Sequence, residues 1–262
     1  MNRDELLARI AAVLADDGRV EAAWLAGSLG RGEGDRWSDV DVFAAASDER
    51  RDALVADWET VAARISPTVL LQRANGVFTH VTPEWLRFDV AIGGPSDVAT
   101  RSRAAHRLLF DHAGLDGCLL PQTEPTPPSR ARVEGLTREF LRILGLLPVV
   151  LGREELEVAA SGAGLVRMLL VQLLLEEAGG DTRGGALRLR SALAPDRLGL
   201  LRDLPAIAAT RESAIAVHVA CTRAFLSVAR DLATRTGATW PRDLEAAALT
   251  HLRRELGIDL SH

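Results

Sequence analysis

Apolar residues at Leu6, Leu7, Ile10, Val13 and Leu14 share one helix face, so residues 4–16 read as an amphipathic helix that Gly18 ends. The run Val20–Ala26 is short and almost wholly apolar, as a buried strand is, and Gly27-Ser28 closes it at a turn. From Asp39 to Phe43 acids and apolar residues alternate, which places Asp39, Asp41 and Phe43 on one face of a strand and Val40 and Val42 on the other. Ser47-Asp48-Glu49 marks a helix start, and that helix is expected to run to about Arg64. Residues 67–73 and 77–82 then read as two strands joined at Asn75-Gly76, a hairpin dipeptide, and the stretch from Trp85 to Ile92 as a third. Ser96–Ala105 is expected to be helical and Arg107–Asp111 to be a last strand.

The pattern changes at Pro121-Gln122-Thr123-Glu124-Pro125-Thr126-Pro127-Pro128-Ser129, which suits a semi-rigid linker and neither a helix nor a central strand. Beyond it every periodic segment is helical. Helices are expected near 130–147, 154–178, 185–193, 196–203, 210–236 and 241–256, the last with Pro241 at its first position. The fold class is therefore α+β. A mixed sheet flanked by helices over residues 1–120 is followed by the linker 121–129 and an all-α bundle over 130–262.

Composition narrows the function classes. All basic side chains are arginine, with 13 against 20 acids in residues 1–129 and 18 against 16 in residues 130–262, and no basic run stands out. A nucleic-acid partner is therefore not expected. Cys118 and Cys221 are far apart and lack metal-ligand spacing, which points to reduced thiols and a cytoplasmic location. The N-terminal residues lack a signal-peptide pattern, and no uninterrupted apolar run suggests a membrane span. Oligomeric state is not legible.

Chemistry concentrates in residues 27–43. A turn at Gly27-Ser28 lets the backbone approach a ligand, and a short helix from Leu29 to Gly32 would aim N–H groups and the Ser28 hydroxyl at phosphate oxygens. Asp39 and Asp41 on one strand face stand about 6–7 Å apart. Two such carboxylates repel unless a cation lies between them, and paired magnesium ions are one arrangement that drives phosphoryl transfer. Asp89, alone among apolar neighbours in its strand, is the third acid such a site needs. A lone Asp-x-Asp is more often a solvated strand edge, but joined to Gly27-Ser28 and Asp89 in this order it reads as metal binding.

Gly27-Ser28-x-x-Arg31-Gly32, then Ser38-Asp39-x-Asp41, then Asp89 between hydrophobic residues, resembles the signature of the DNA polymerase beta-like nucleotidyltransferase superfamily. The helical half resembles, more loosely, that of the bacterial aminoglycoside and lincosamide adenylyltransferases. The resemblance implies that Gly27 and Ser28 hold the nucleoside triphosphate. It also implies that Asp39 and Asp41 bind two Mg2+ ions, and that Asp89 binds one of them and helps deprotonate the attacking hydroxyl. The expected activity is transfer of AMP from ATP to a hydroxyl of a small molecule, an aminoglycoside or lincosamide antibiotic. Alternatives are modification of a protein side chain and a non-catalytic nucleotide-binding module. Arg31 either contacts the γ-phosphate or pairs with Glu33 or Asp35. Glu84 is a candidate acceptor contact or a surface acid. The chain departs from the usual pattern at Gly30, where members often carry alanine, and in the acidic loop Glu33-Gly34-Asp35. His80, His106, His112, His218 and His251 are expected to be structural or surface residues.

Overall fold

The computed structural model describes residues 1–121, 127–179 and 189–260. The chain divides into two compact units, Met1–Glu124 and Pro125–His262, each with its own core.

The first unit is a six-stranded mixed sheet with the spatial order β3-β4-β5-β2-β1-β6. Its strands are β1 (Ala22–Leu25), β2 (Val40–Ala45), β3 (Leu70–Ala74), β4 (Val77–Val81), β5 (Arg87–Gly93) and β6 (Arg107–Asp111). The helices are α1 (Arg3–Asp16), α2 (Gly27–Gly30), α3 (Asp48–Ala56), α4 (Trp58–Ile65) and α5 (Pro95–Val98). The central pair β2 and β5 is parallel and the other pairs are antiparallel. Period-2 alternation sends Val40, Val42, Ala44, Phe88 and Val90 to one face, where they meet Leu6, Ile10 and Leu14 of α1 and Trp58, Val61 and Ile65 of α4. The other face carries Asp41 and Asp89, with a smaller cluster of Trp24, Phe43, Ala45, Val98 and Leu119 farther along the strands.

Three local expectations change. The helix expected to run from Ser47 to about Arg64 is two helices that meet at Asp57. Asp57 leaves the helical path where Arg19 bridges it to Asp17, at 3.0 and 2.7 Å. The segment 96–105 is helical only over Pro95–Val98 and in a 3-10 turn, Arg103–Ala105. Between them the chain pairs Ser102 with Leu120. The short helix after β1 spans Gly27–Gly30 rather than Leu29–Gly32.

The second unit is helical: α6 (Arg130–Leu144), α7 (Leu147–Gly152), α8 (Leu156–Ala178), α9 (Leu189–Ala192), α10 (Pro195–Arg202), α11 (Arg211–Thr236) and α12 (Arg242–Leu256). The expected helix 130–147 stops at Leu144, and α7 follows with Pro148 in its first turn. Pro241 caps α12 from outside its first turn. Residues 122–126 of the expected linker and 185–188 of an expected helix lie outside the described residues. Both α8 and α11 are long and apolar enough to cross a membrane, a feature the search for unbroken apolar runs misses. About half of each is buried within this unit, where Phe140 stacks on Phe225 at 3.9 Å and Val166, Leu170 and Leu174 share the core with Val217 and Leu232.

Candidate active site

The acids meet because of strand register. In the parallel pair, Asp41 lies level with Asp89, and Val40 with Phe88. Side chains level on neighbouring strands are close, so the two carboxylates share one patch of the sheet. Burial, with the charges of Asp39 and Asp89, pushes the Asp41 carboxyl up to about 6. Asp89 is also shifted upward, chiefly by burial, against the pull of a hydrogen bond from Thr79. Thr79 stands level with Asp89 on the other side, on β4.

Asp39 sits just before β2 and ion-pairs with Arg87 at the start of β5, at 3.4 Å. Arg87 and Thr79 therefore belong to the site, although the motif does not include them. Only the pairing of β5 with β2 and of β4 with β5 reveals them, and that register is not legible in the sequence.

The turn after β1 closes against the acids. Ala26 donates to the Asp41 carbonyl at 2.7 Å, fixing the end of β1 beside β2. Gly27 has φ +59°, and a β-carbon built on it would fall 1.8 Å from Asp41 Oδ2, so only glycine fits beneath that carboxylate. The departure at Gly30 has a similar cause: a β-carbon there would lie 2.5 Å from the Leu25 carbonyl oxygen and 2.6 Å from that of Ala105. Ser28 is buried in the same turn. The N–H groups of Gly27, Ser28 and Leu29 are first-turn amides, which an α-helix leaves without intrahelical acceptors. Arg31 pairs with Glu33 at 2.9 Å, one of the two partnerships left open by the sequence. Glu84 stands apart from the three aspartates, in the turn before β5, where it accepts from Thr82 Oγ1 at 2.9 Å and lies 3.6 Å from the Met1 ammonium.

Among the described residues no three His, Cys, Asp or Glu side chains close around a single point. Asp39 is turned to Arg87 and Asp89 to Thr79. The donor set still suits hard divalent ions: burial first, and then the charges of Asp39 and Asp89, raise the Asp41 carboxyl, and a bound cation would relieve both.

No family model and no curated protein matches the chain. Among solved structures it is similar to an aminoglycoside 6-adenyltransferase from Bacillus subtilis, with 11% identity, 95% of each chain covered and a TM-score of 0.43. It is also similar to a nucleotidyltransferase-like protein from Exiguobacterium sibiricum 255-15, with 13% identity, 97% of this chain and 88% of that one covered, and a TM-score of 0.31. A third is the CdnC component of a CdnC:HORMA-deltaN complex from E. coli MS115-1, with 15% identity, 97% and 89% coverage and a TM-score of 0.29. Likeness at this level decides nothing about activity.

Two of the histidines are packed inside the cores. His80 is fully buried, stacks on Phe88 at 4.1 Å and accepts from Trp58 Nε1 at 3.0 Å. His218 is buried in α11 and contacts the Ala214 carbonyl through Nδ1 at 2.7 Å.

Proposed function

We propose that this chain is a magnesium-dependent nucleotidyltransferase that moves AMP from ATP to a hydroxyl of a small molecule of the aminoglycoside or lincosamide kind. The observation that carries this reading is Asp41 level with Asp89 on adjacent parallel strands, with the glycine of a Gly-Ser turn closed against Asp41.

Asp39, Asp41 and Asp89 would hold the ions, which neutralise triphosphate charge and acidify a hydroxyl when bound. Gly27 and Ser28 seat the triphosphate through first-turn amides and the Ser28 hydroxyl. Asp89, raised by burial, accepts the proton of the acceptor hydroxyl. The acceptor oxygen forms a bond to the α-phosphorus while the bond from that phosphorus to the bridging oxygen breaks, and pyrophosphate leaves. Arg87, freed from its pairing with Asp39, would meet phosphate oxygens. The acidity of residues 1–129 suits an acceptor that carries amines.

The test is pyrophosphate release from ATP and magnesium across aminoglycosides, lincosamides and buffer alone. Release with one drug class supports the reading. Silence across the panel from protein that binds ATP with magnesium would remove the antibiotic acceptor and leave a protein side chain as the next candidate.

A further inference from the structure

Two of the five tryptophans are far more exposed than a residue of that size usually is: Trp37 at 73% and Trp85 at 76%. By contrast, Trp24 and Trp58 are buried in the two clusters of the sheet. Both exposed tryptophans stand at the acidic end of β2 and β5. Trp37 is two residues before Asp39 and Trp85 two residues before Arg87, and Asp39 and Arg87 are themselves ion-paired. Two residues of chain reach at most about 7 Å, so the backbone of Trp37 is that close to Asp39 and the backbone of Trp85 that close to Arg87.

Trp85 is held outward under strain. Its φ is +65°, a left-handed value that a bulky residue adopts only when its surroundings impose it. The turn imposes it through Trp85 N–H to the Thr82 carbonyl at 2.9 Å, Thr82 N–H to the Leu86 carbonyl at 2.9 Å and Leu86 N–H to Thr82 Oγ1 at 3.2 Å. Trp37 already carries a cation, the Arg36 guanidinium, 4.0 Å above its ring. The acids near this end are ion-paired: Glu33 with Arg31 at 2.9 Å, Asp39 with Arg87 at 3.4 Å, and Glu84, in the turn of Trp85, lies 3.6 Å from the Met1 ammonium. Exposed indole faces attract ammonium groups and give an apolar ring a surface to lie on.

We propose that Trp37 and Trp85 are the acceptor-binding residues of this site, and that they select a compact acceptor bearing protonated amines. This rests on the nucleotidyltransferase reading and adds to it the residues that choose the acceptor. Arg36 holds the place that an acceptor ammonium takes over Trp37. Trp85, fixed in its turn, supplies a second aromatic surface without having to be ordered on binding.

Calorimetric titration of the full chain without nucleotide, using kanamycin, streptomycin and fully N-acetylated kanamycin, tests this directly. Wild-type protein should bind at least one of the two amine-bearing probes, and N-acetylation should abolish kanamycin binding if kanamycin is that ligand. Trp37→Ala and Trp85→Ala should each weaken probe binding about tenfold and leave ATP binding with magnesium unchanged. Trp85→Gly relieves the left-handed strain, so it should raise the melting temperature by about 2–4 °C while losing the same affinity. Any one of four results overturns the proposal: no binding of either amine-bearing probe to the wild type, unchanged probe affinity in both alanine variants, a loss of ATP affinity in place of probe affinity, or a wild-type dimer that the alanine variants dissolve. Failure of the parent reading shows separately, as absent pyrophosphate release from protein whose probe binding, measured without ATP, is intact.

Discussion

A methyl group on residue 27 has nowhere to go. It would meet Asp41 Oδ2 at 1.8 Å on a backbone already at φ +59°, so Gly27→Ala must displace either the carboxylate or the turn. We expect at least a hundredfold loss of nucleotidyl transfer, measured by pyrophosphate release, with circular dichroism unchanged. Asp41 makes a second prediction, with a definite sign. Its carboxyl rises from 3.8 to about 6 on folding. Its contribution to stability is therefore complete below about 3.8 and is lost as the pH rises through 6. In EDTA at pH 7.5, Asp41→Asn should be more stable to unfolding than the wild type by about 1–3 kcal/mol, and the gap should close toward pH 4. A gap that does not change with pH would mean that folding does not raise the Asp41 carboxyl. At this scale most of the site is visible in the sequence, because glycine, serine and three acids are rare in such an order. What register alone creates, the Arg87 and Thr79 contacts, is not visible.

Elements were legible where the local chain decides the outcome and obscure where a distant partner does. Asn75 and Gly76 both take positive φ, 51° and 78°, as a two-residue hairpin turn requires, and β3 and β4 pair on either side of them. The break at Asp57 could not be read locally; the residue that binds Asp57 there lies 38 residues away. Arg19 spans the exposed end of α1 and binds Asp17 and Asp57 together. The same guanidinium holds the Asp17 carboxyl below its usual value of 3.8, chiefly through their hydrogen bond. That stability is present above about pH 4 and is lost as the pH falls through the lowered value. Arg19→Met should cost about 1–2 kcal/mol at pH 7 and flatten the acid limb of a stability profile measured by urea unfolding. A variant with the wild-type acid limb would show that the bridge contributes nothing.

In the whole molecule, two cores carry two kinds of work. Residues 1–124 contain every acid of the candidate site and most of the negative charge, while residues 125–262 bury α8 and α11 against each other. The change of pattern at the proline-rich stretch rests on closely spaced prolines, which suit neither a helix interior nor a central strand. The apolar length of α8 and α11 was not, because scattered polar residues divide each helix into short runs although its buried stripe is continuous. The central claim, that the three aspartates of the first unit transfer a nucleotide, is tested most directly with ATP labelled at the α-phosphate. Wild type, Asp41→Asn and Asp89→Asn are incubated with magnesium and the acceptor panel, and label is followed into acceptor. The account predicts labelled acceptor and pyrophosphate in equal amounts from the wild type, and at least a thousandfold less from either variant. Transfer that survives both substitutions would contradict it.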